Sequence, residues 1–287
     1  MTYCLGIVTK HGLVMASDSR TNAGYDQVNV CRKMHIFSKP GERVFILLSS
    51  GSLSCTQSIL TLLRRDFEKG NGLATAPSMY DAARILGEQV RKVSDLDRDA
   101  LEKDDYKFNV NFILGGQIQG EDPALFMIYP QGNPLQATDE SPYLQIGETK
   151  YGRPILDRGI RYEHTSLEDA AKYALLSLDS TMKSNVTVGP PIDLLAYERD
   201  AFDITHKRQF GADDADLAKI RVRWEQALRG AVQRLPNIQL RYKPRDRAAA
   251  AQESIQLVEP NQSEQPQELQ PQQTHGQKVH KNQDENR

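Results

Sequence analysis

Cysteine is scarce: Cys4, Cys31 and Cys55 are the only three in 287 residues. So sparse and odd a set gives no disulfide framework, and the three read as small buried hydrophobes. A large charge of either sign is also missing, since the formal net charge is −2. That argues against the basic face of a nucleic-acid binder. No run of roughly 18 apolar residues occurs, which excludes a membrane-spanning helix. The N-terminus lacks a basic segment followed by an apolar one, so no signal peptide is expected and the cytoplasm is the expected compartment. Histidines fall at 11, 35, 164, 206, 275 and 280, with no zinc-like spacing to the cysteines. No metal and no cofactor are expected. What is present, 39% hydrophobic and 26% charged residues, fits a globular chain of one large domain or two small ones.

The composition breaks at Pro244. The stretch from Arg245 to Arg287 is dense in Gln, Glu, Asn and Pro and almost free of aromatic and branched apolar residues. It cannot bury enough apolar area to offset its ordering entropy, so a disordered Gln/Glu/Pro-rich tail is expected over 245–287 and a folded domain over 1–244.

Within the domain, TYCLGIVTK and LVMASDSR flank His11-Gly12 and predict a hairpin. VNVCRKMHIF predicts a third strand, ending at the Lys39-Pro40-Gly41 turn, and RVFILLSSG a buried fourth. Two helices follow. SCTQSILTLLRRDFEKG has Ser54 as its expected cap and Gly70 as its stop, and MYDAARILGEQVRKV is amphipathic. FNVNFILGGQI, ALFMIYP and YLQIG return to strand character. SLEDAAKYALLSLDSTM predicts a helix with Thr165 and Glu168 as a capping box. After the strand IDLLAYERD comes a last helix, ADLAKIRVRWEQALRGAVQRL. Asp213, Asp214 and Asp216 favour its positive end, and Leu217, Ile220, Trp224, Leu228 and Leu235 form one face. Runs of strands alternating with runs of helices argue for an α+β protein with antiparallel sheets covered by helices.

The second residue carries the chemical interest. An initiator methionine is commonly removed before a small side chain, and threonine qualifies. Removal of Met1 would place a free amine and a hydroxyl on Thr2. A threonine hydroxyl is a weak nucleophile until a neighbouring base accepts its proton. The α-amino group, with an ordinary pKa of about 7.7–8.0, suits that task near neutral pH. It needs a cation nearby to stay neutral and a carboxylate to hold that cation. Asp18 and Arg20 lie two apart on the second strand and so share a face, and Lys33 lies in the third. A hairpin loop of two residues would put Thr2 and Asp18 on opposite faces. A three-residue loop or a bulge would put them on the same face.

The set formed by Thr2, MASDSRTNAG, RKMHIF and LLSSGSLS before a helix resembles the β-type subunits of the proteasome and of bacterial HslV, which are N-terminal-nucleophile hydrolases. LQIGETKYGRPILDR resembles their later strand-to-helix passage. With TYCLGIV, SDSRTNAG and CRKM, the resemblance is strongest to the Anbu proteins, the ancestral-β-subunit-like bacterial relatives, and it covers about residues 2 to 240. It implies a four-layer αββα sandwich. It also implies a threonine hydrolase acting on amide bonds of a peptide or protein substrate, working inside a large homo-oligomer, a ring or a helical stack. By resemblance Thr2 is the nucleophile, Asp18 orients the lysine, and Lys33 tunes the threonine and its amine. Arg20 is then a structural partner, and Gly51 donates its backbone N–H to the oxyanion. As in HslV, activation would need only the loss of Met1.

Two features depart from the pattern. Asp18 and Lys33 are one residue closer together than is usual in β-subunits, a difference that the turn containing Gly24 can absorb. Ile146-Gly147-Glu148-Thr149 stands where β-subunits usually carry a serine and a glycine. Asp179, Thr181 and Ser184 are the candidates for further support. Two other readings remain: a noncatalytic assembly protein on the same fold, and a specialised amidase or transferase with the same triad.

Overall fold

The computed structural model describes residues 1–22, 28–103, 105, 107–204 and 206–240. The expected tail from Arg245 lies outside the described residues, and so does Gly24. The fold described below is that of the unit Met1–Leu235.

The chain begins with the hairpin β1 (Tyr3–Thr9) and β2 (Gly12–Asp18). Two short strands, β3 (Arg20–Asn22) and β4 (Val28–Val30), pair with each other. Next come β5 (Met34–Lys39) and β6 (Arg43–Gly51), then α1 (Leu53–Glu68) and α2 (Met79–Lys103). After the helices run β7 (Val110–Ile118), β8 (Ala124–Ile128), β9 (Pro134–Gln136) and β10 (Tyr143–Gly147). The last elements are α3 (Arg153–Gly159), α4 (Leu167–Ser184), β11 (Ile192–Glu198), β12 (His206–Phe210) and α5 (Ala215–Gln233). One five-stranded sheet has the order β10-β1-β2-β11-β12 and the other β5-β6-β7-β8-β9; their paired neighbours are antiparallel throughout.

Strand alternation sorts the apolar residues into three cores. From β1, Tyr3, Leu5 and Ile7 face a core shared with α3, α4 and the start of α5. Cys4 and Val8 point the other way, into a layer with Met15, Met34, Ile46 and Ile113 between the two sheets. From β6, Phe45 and Leu47 join α1 and α2, while Val44, Ile46 and Leu48 join the inter-sheet layer. Both faces of β1 and β6 are therefore buried, which explains their near-continuous apolar runs. Each fully buried Leu, Ile or Phe contributes about 1.5–3 kcal/mol. The result is the expected four-layer αββα sandwich. Gly6 sits where a Cβ would crowd Leu125 and Met15, so the sheets close tightly at that point.

Local expectations shift in four places. The predicted third strand is two, because the chain leaves the ladder at Cys31–Lys33 to turn Lys33 inward. Ser52 rather than Ser54 occupies the N-cap position of α1, and the two hydroxyls bond to each other instead. The cap of α4 is Ser166, which accepts from the Asp169 N–H. Thr165 is used one step earlier, accepting from the Arg161 N–H. In α5, Asp214 caps the helix and Leu217 is buried, but Leu228 is 51% exposed and Leu235 lies past the helix end. Only the N-terminal half of that apolar face meets the core.

Candidate active site

Thr2 precedes β1 and is clamped by its backbone. Its carbonyl accepts the Glu148 N–H at 2.7 Å. Gly147, at φ +87°, makes this approach possible, because a Cβ there would overlap the Thr2 carbonyl oxygen. On the other side, the Tyr3 N–H donates to Asp18 Oδ1 at 3.0 Å.

The hairpin register pairs Thr9 with Gly12, so its loop is two residues long. Alternation alone then sets Thr2 and Asp18 on opposite faces. Lys33 reaches Asp18 from a separate segment. Asp18 ends β2 as a wholly buried carboxylate beneath the surface. It accepts from Lys33 Nζ at 2.6 Å, and its second oxygen accepts from the Gly189 N–H at 3.3 Å. Lys33 Nζ also donates to the Arg20 carbonyl at 2.6 Å. The lysine is thus anchored from below, and it lines a cleft of about 660 Å³ together with Thr2, Ser49, Ser50 and Gly51. Its own backbone is held by the Ser49 N–H on the Lys33 carbonyl, 3.0 Å.

Burial raises the Asp18 pKa above the usual carboxylate value, against the pull of Lys33 and of its hydrogen bonds. At the N-terminus burial lowers the Met1 amine, Lys33 lowers it further, and Asp18 and Glu148 oppose. Burial and the Lys33 ammonium thus both favour the neutral form of the Met1 amine.

Gly51 ends β6 at φ +108°, where a Cβ would overlap the Asn109 carbonyl oxygen, so only glycine fits this bend in the cleft wall. The Arg20 guanidinium lies against Gly189 and donates to the Val186 carbonyl at 2.5 Å, pinning the segment that also contacts Asp18. Asp179, Thr181 and Ser184 do not join this group. Asp179 pairs with Arg221 of α5 at 2.5 Å, Thr181 bonds back to the Ser177 carbonyl within α4, and Ser184 is exposed at the end of that helix. Helical geometry points these side chains at α5, at their own helix and at solvent.

No family model matches the chain. Among curated proteins it is 26% identical over 209 residues to proteasome subunit beta 2 of Pyrobaculum islandicum, covering 70% of this chain and 93% of that protein. Among solved structures, Anbu from Hyphomicrobium sp. strain MC1 is 45% identical with a TM-score of 0.76, covering 83% of this chain and all (100%) of that one. Anbu from Yersinia bercovieri is 44% identical with a TM-score of 0.77, covering 84% and 100%. The helical assembly of the Anbu complex from Pseudomonas aeruginosa gives 42%, a TM-score of 0.79, and again 84% and 100%.

The chain belongs to the Anbu family. This places it among relatives of the proteasome β-subunit, in keeping with its sandwich of two antiparallel sheets. In this Anbu chain the residue that marked a departure from the β-subunit pattern, Glu148, is buried beside Thr2. Its Oε2 accepts from Asn185 Nδ2 at 3.0 Å, and Asn185 Oδ1 accepts from both the N–H and the hydroxyl of Thr187. Asn185, Thr187 and Gly189 escaped the sequence reading. Their one signal was a Gly-Pro-Pro stretch directly after an amphipathic helix, which marks a fixed loop without saying what it touches.

Proposed function

We propose that this Anbu chain is a threonine-type hydrolase that cleaves amide bonds with Thr2 once Met1 has been removed. The observation that carries the reading is Lys33, held between the buried Asp18 carboxylate and the Arg20 carbonyl while lining one cleft with Thr2 and Gly51. The Thr2 hydroxyl oxygen attacks the substrate carbonyl carbon, and its proton passes to the Thr2 amine. The oxyanion so formed is met by the Gly51 backbone N–H; one such donor is typically worth about 3–4 kcal/mol. Collapse of the intermediate releases the amine half of the substrate, which takes the proton, and leaves an ester on Thr2. Water then attacks that ester, with the amine again as base, and releases the acid. Asp18 and Lys33 act as a unit: the carboxylate fixes the ammonium, and the ammonium disfavours a second positive charge on the amine. Arg20 supports the loop behind them.

The substrate class is a peptide or protein. Self-assembly into a large homo-oligomer is part of the proposal, supported by the helical assembly solved for the Pseudomonas aeruginosa relative. The cytoplasm is the proposed compartment, and no helix among the described residues is long and apolar enough to cross a membrane.

A noncatalytic assembly role is the second reading. It is favoured by the Glu148 carboxylate, which lies beside Thr2 and pulls the Met1 amine toward its protonated, non-basic form. Intact mass before and after a peptide epoxyketone separates the two. Loss of Met1 plus one covalent adduct, absent in Thr2→Ala, is expected for the hydrolase. A processed chain that takes no adduct, or one that keeps Met1, overturns it.

A further inference from the structure

One end of the cleft carries positive charge that the proposed chemistry leaves unused. Arg32 and Arg64 line it and are both exposed. Arg64 donates from Nη2 to His35 Nδ1 at 3.0 Å. Burial, together with Arg64, Arg32 and Lys207, pushes the His35 pKa down to about 4, so the ring is neutral at pH 7. With Nδ1 accepting, the ring proton sits on Nε2, which is buried without a hydrogen-bond partner among the described residues. Among the described residues, no aspartate or glutamate lines the cleft. The third cation there, Lys33, already has a partner in Asp18 at 2.6 Å. Two guanidinium groups therefore face a concave space with no carboxylate among its described lining residues, a setting that concentrates anions. The guanidinium fork matches a carboxylate in shape as well as in charge. Leu60, nearly fully buried, gives the same cleft an apolar surface for a short stem.

We propose that this end of the cleft selects substrates carrying an acidic side chain close to the cleaved bond. That a bond is cleaved rests on Thr2 being the nucleophile; the preference for an anion belongs to the cleft itself.

The test uses the full chain with Thr2→Ala and three dye-labelled tetrapeptide amides that differ only in a final Glu, Leu or Lys. Fluorescence anisotropy should show the Glu peptide binding about fivefold or more tightly than the Leu peptide, with the Lys peptide weakest. Arg64→Ala and Arg32→Ala should each reduce that ratio several-fold, and Arg64→Lys should restore most of it. Salt raised from about 50 to about 500 mM should compress it. Equal affinity for the three peptides, or binding of none, overturns the proposal. Epoxyketones with the same three residues, applied to the unsubstituted protein, separate the two readings. Acid-selective binding with no adduct on Thr2 keeps the subsite and removes the nucleophile. Adducts forming at equal rates keep the nucleophile and remove the subsite.

Discussion

Lys33→Ala would strip the partner from a carboxylate with no exposure to water. Asp18 would keep the Tyr3 and Gly189 N–H groups but lose the ammonium at 2.6 Å. Breaking a buried pair from one side typically costs about 3–5 kcal/mol. The two remaining backbone donors, and the option of taking up a proton, set the expected loss near the lower end. About 3 kcal/mol corresponds to a fall in Tm of roughly 6–12 °C for a domain of this size. The loss should depend on pH, with a definite sign. Burial already holds the Asp18 pKa above its ordinary value, and removal of Lys33 raises it further. The folded state then binds a proton more tightly than the unfolded state. The penalty is therefore absent below the ordinary carboxyl range and grows as pH rises through the folded pKa. Lys33→Met combined with Asp18→Asn removes both charges and should recover most of the Tm while leaving Thr2 unlabelled by the epoxyketone. Thermal unfolding from pH 4 to pH 8, with intact mass on the same samples, measures both. A Tm deficit that is independent of pH, or labelling restored in the double variant, would refute the reasoning.

The glycines at the cleft invite sharper tests. Gly51→Ala forces a side chain onto a backbone at φ +108° and against the Asn109 carbonyl; about 1–3 kcal/mol of stability should be lost, seen as a lower Tm. Gly147→Ala drives a methyl group into the Thr2 carbonyl, so adduct formation should fall about tenfold or more in protein that still folds, as followed by mass spectrometry. Glu148→Gln keeps an acceptor for Asn185 but removes a charge that raises the amine pKa. The acid limb of the labelling-against-pH profile should therefore move to lower pH, and an unmoved limb would show that Glu148 does not act on the amine.

Much of the fold follows from local pattern. The short apolar run in RVFILLSSG, the turn residues after Lys39 and the apolar stripe of α1 are each readable over a dozen residues, because run length, turn chemistry and helix period are short-range properties. Helix caps were harder. Ser52 and Ser54, or Thr165 and Ser166, are chemically near-equal neighbours, and the chain's exit direction chooses between them. The α5 face is uniform in sequence, yet Leu217 is buried while Leu228 is 51% exposed, because burial depends on what packs against each turn.

The sequence alone determined the two-sheet, helix-covered architecture and brought Thr2, Asp18, Lys33, Arg20 and Gly51 into view as candidates. Only the tertiary structure decided how they meet. The two-residue loop sets Thr2 and Asp18 apart by parity, and a lysine from a third segment, leaving its ladder at Cys31–Lys33, bonds to Asp18 and lines one cleft with Thr2. It also turned Asp179 toward Arg221, placed Glu148 beside Thr2, and bonded Asn185 to Glu148, though 37 residues separate those two in the chain. Such contacts come from packing sheets, helices and loops around one end of a hairpin. No local period encodes them, because each depends on the positions of elements far apart in sequence.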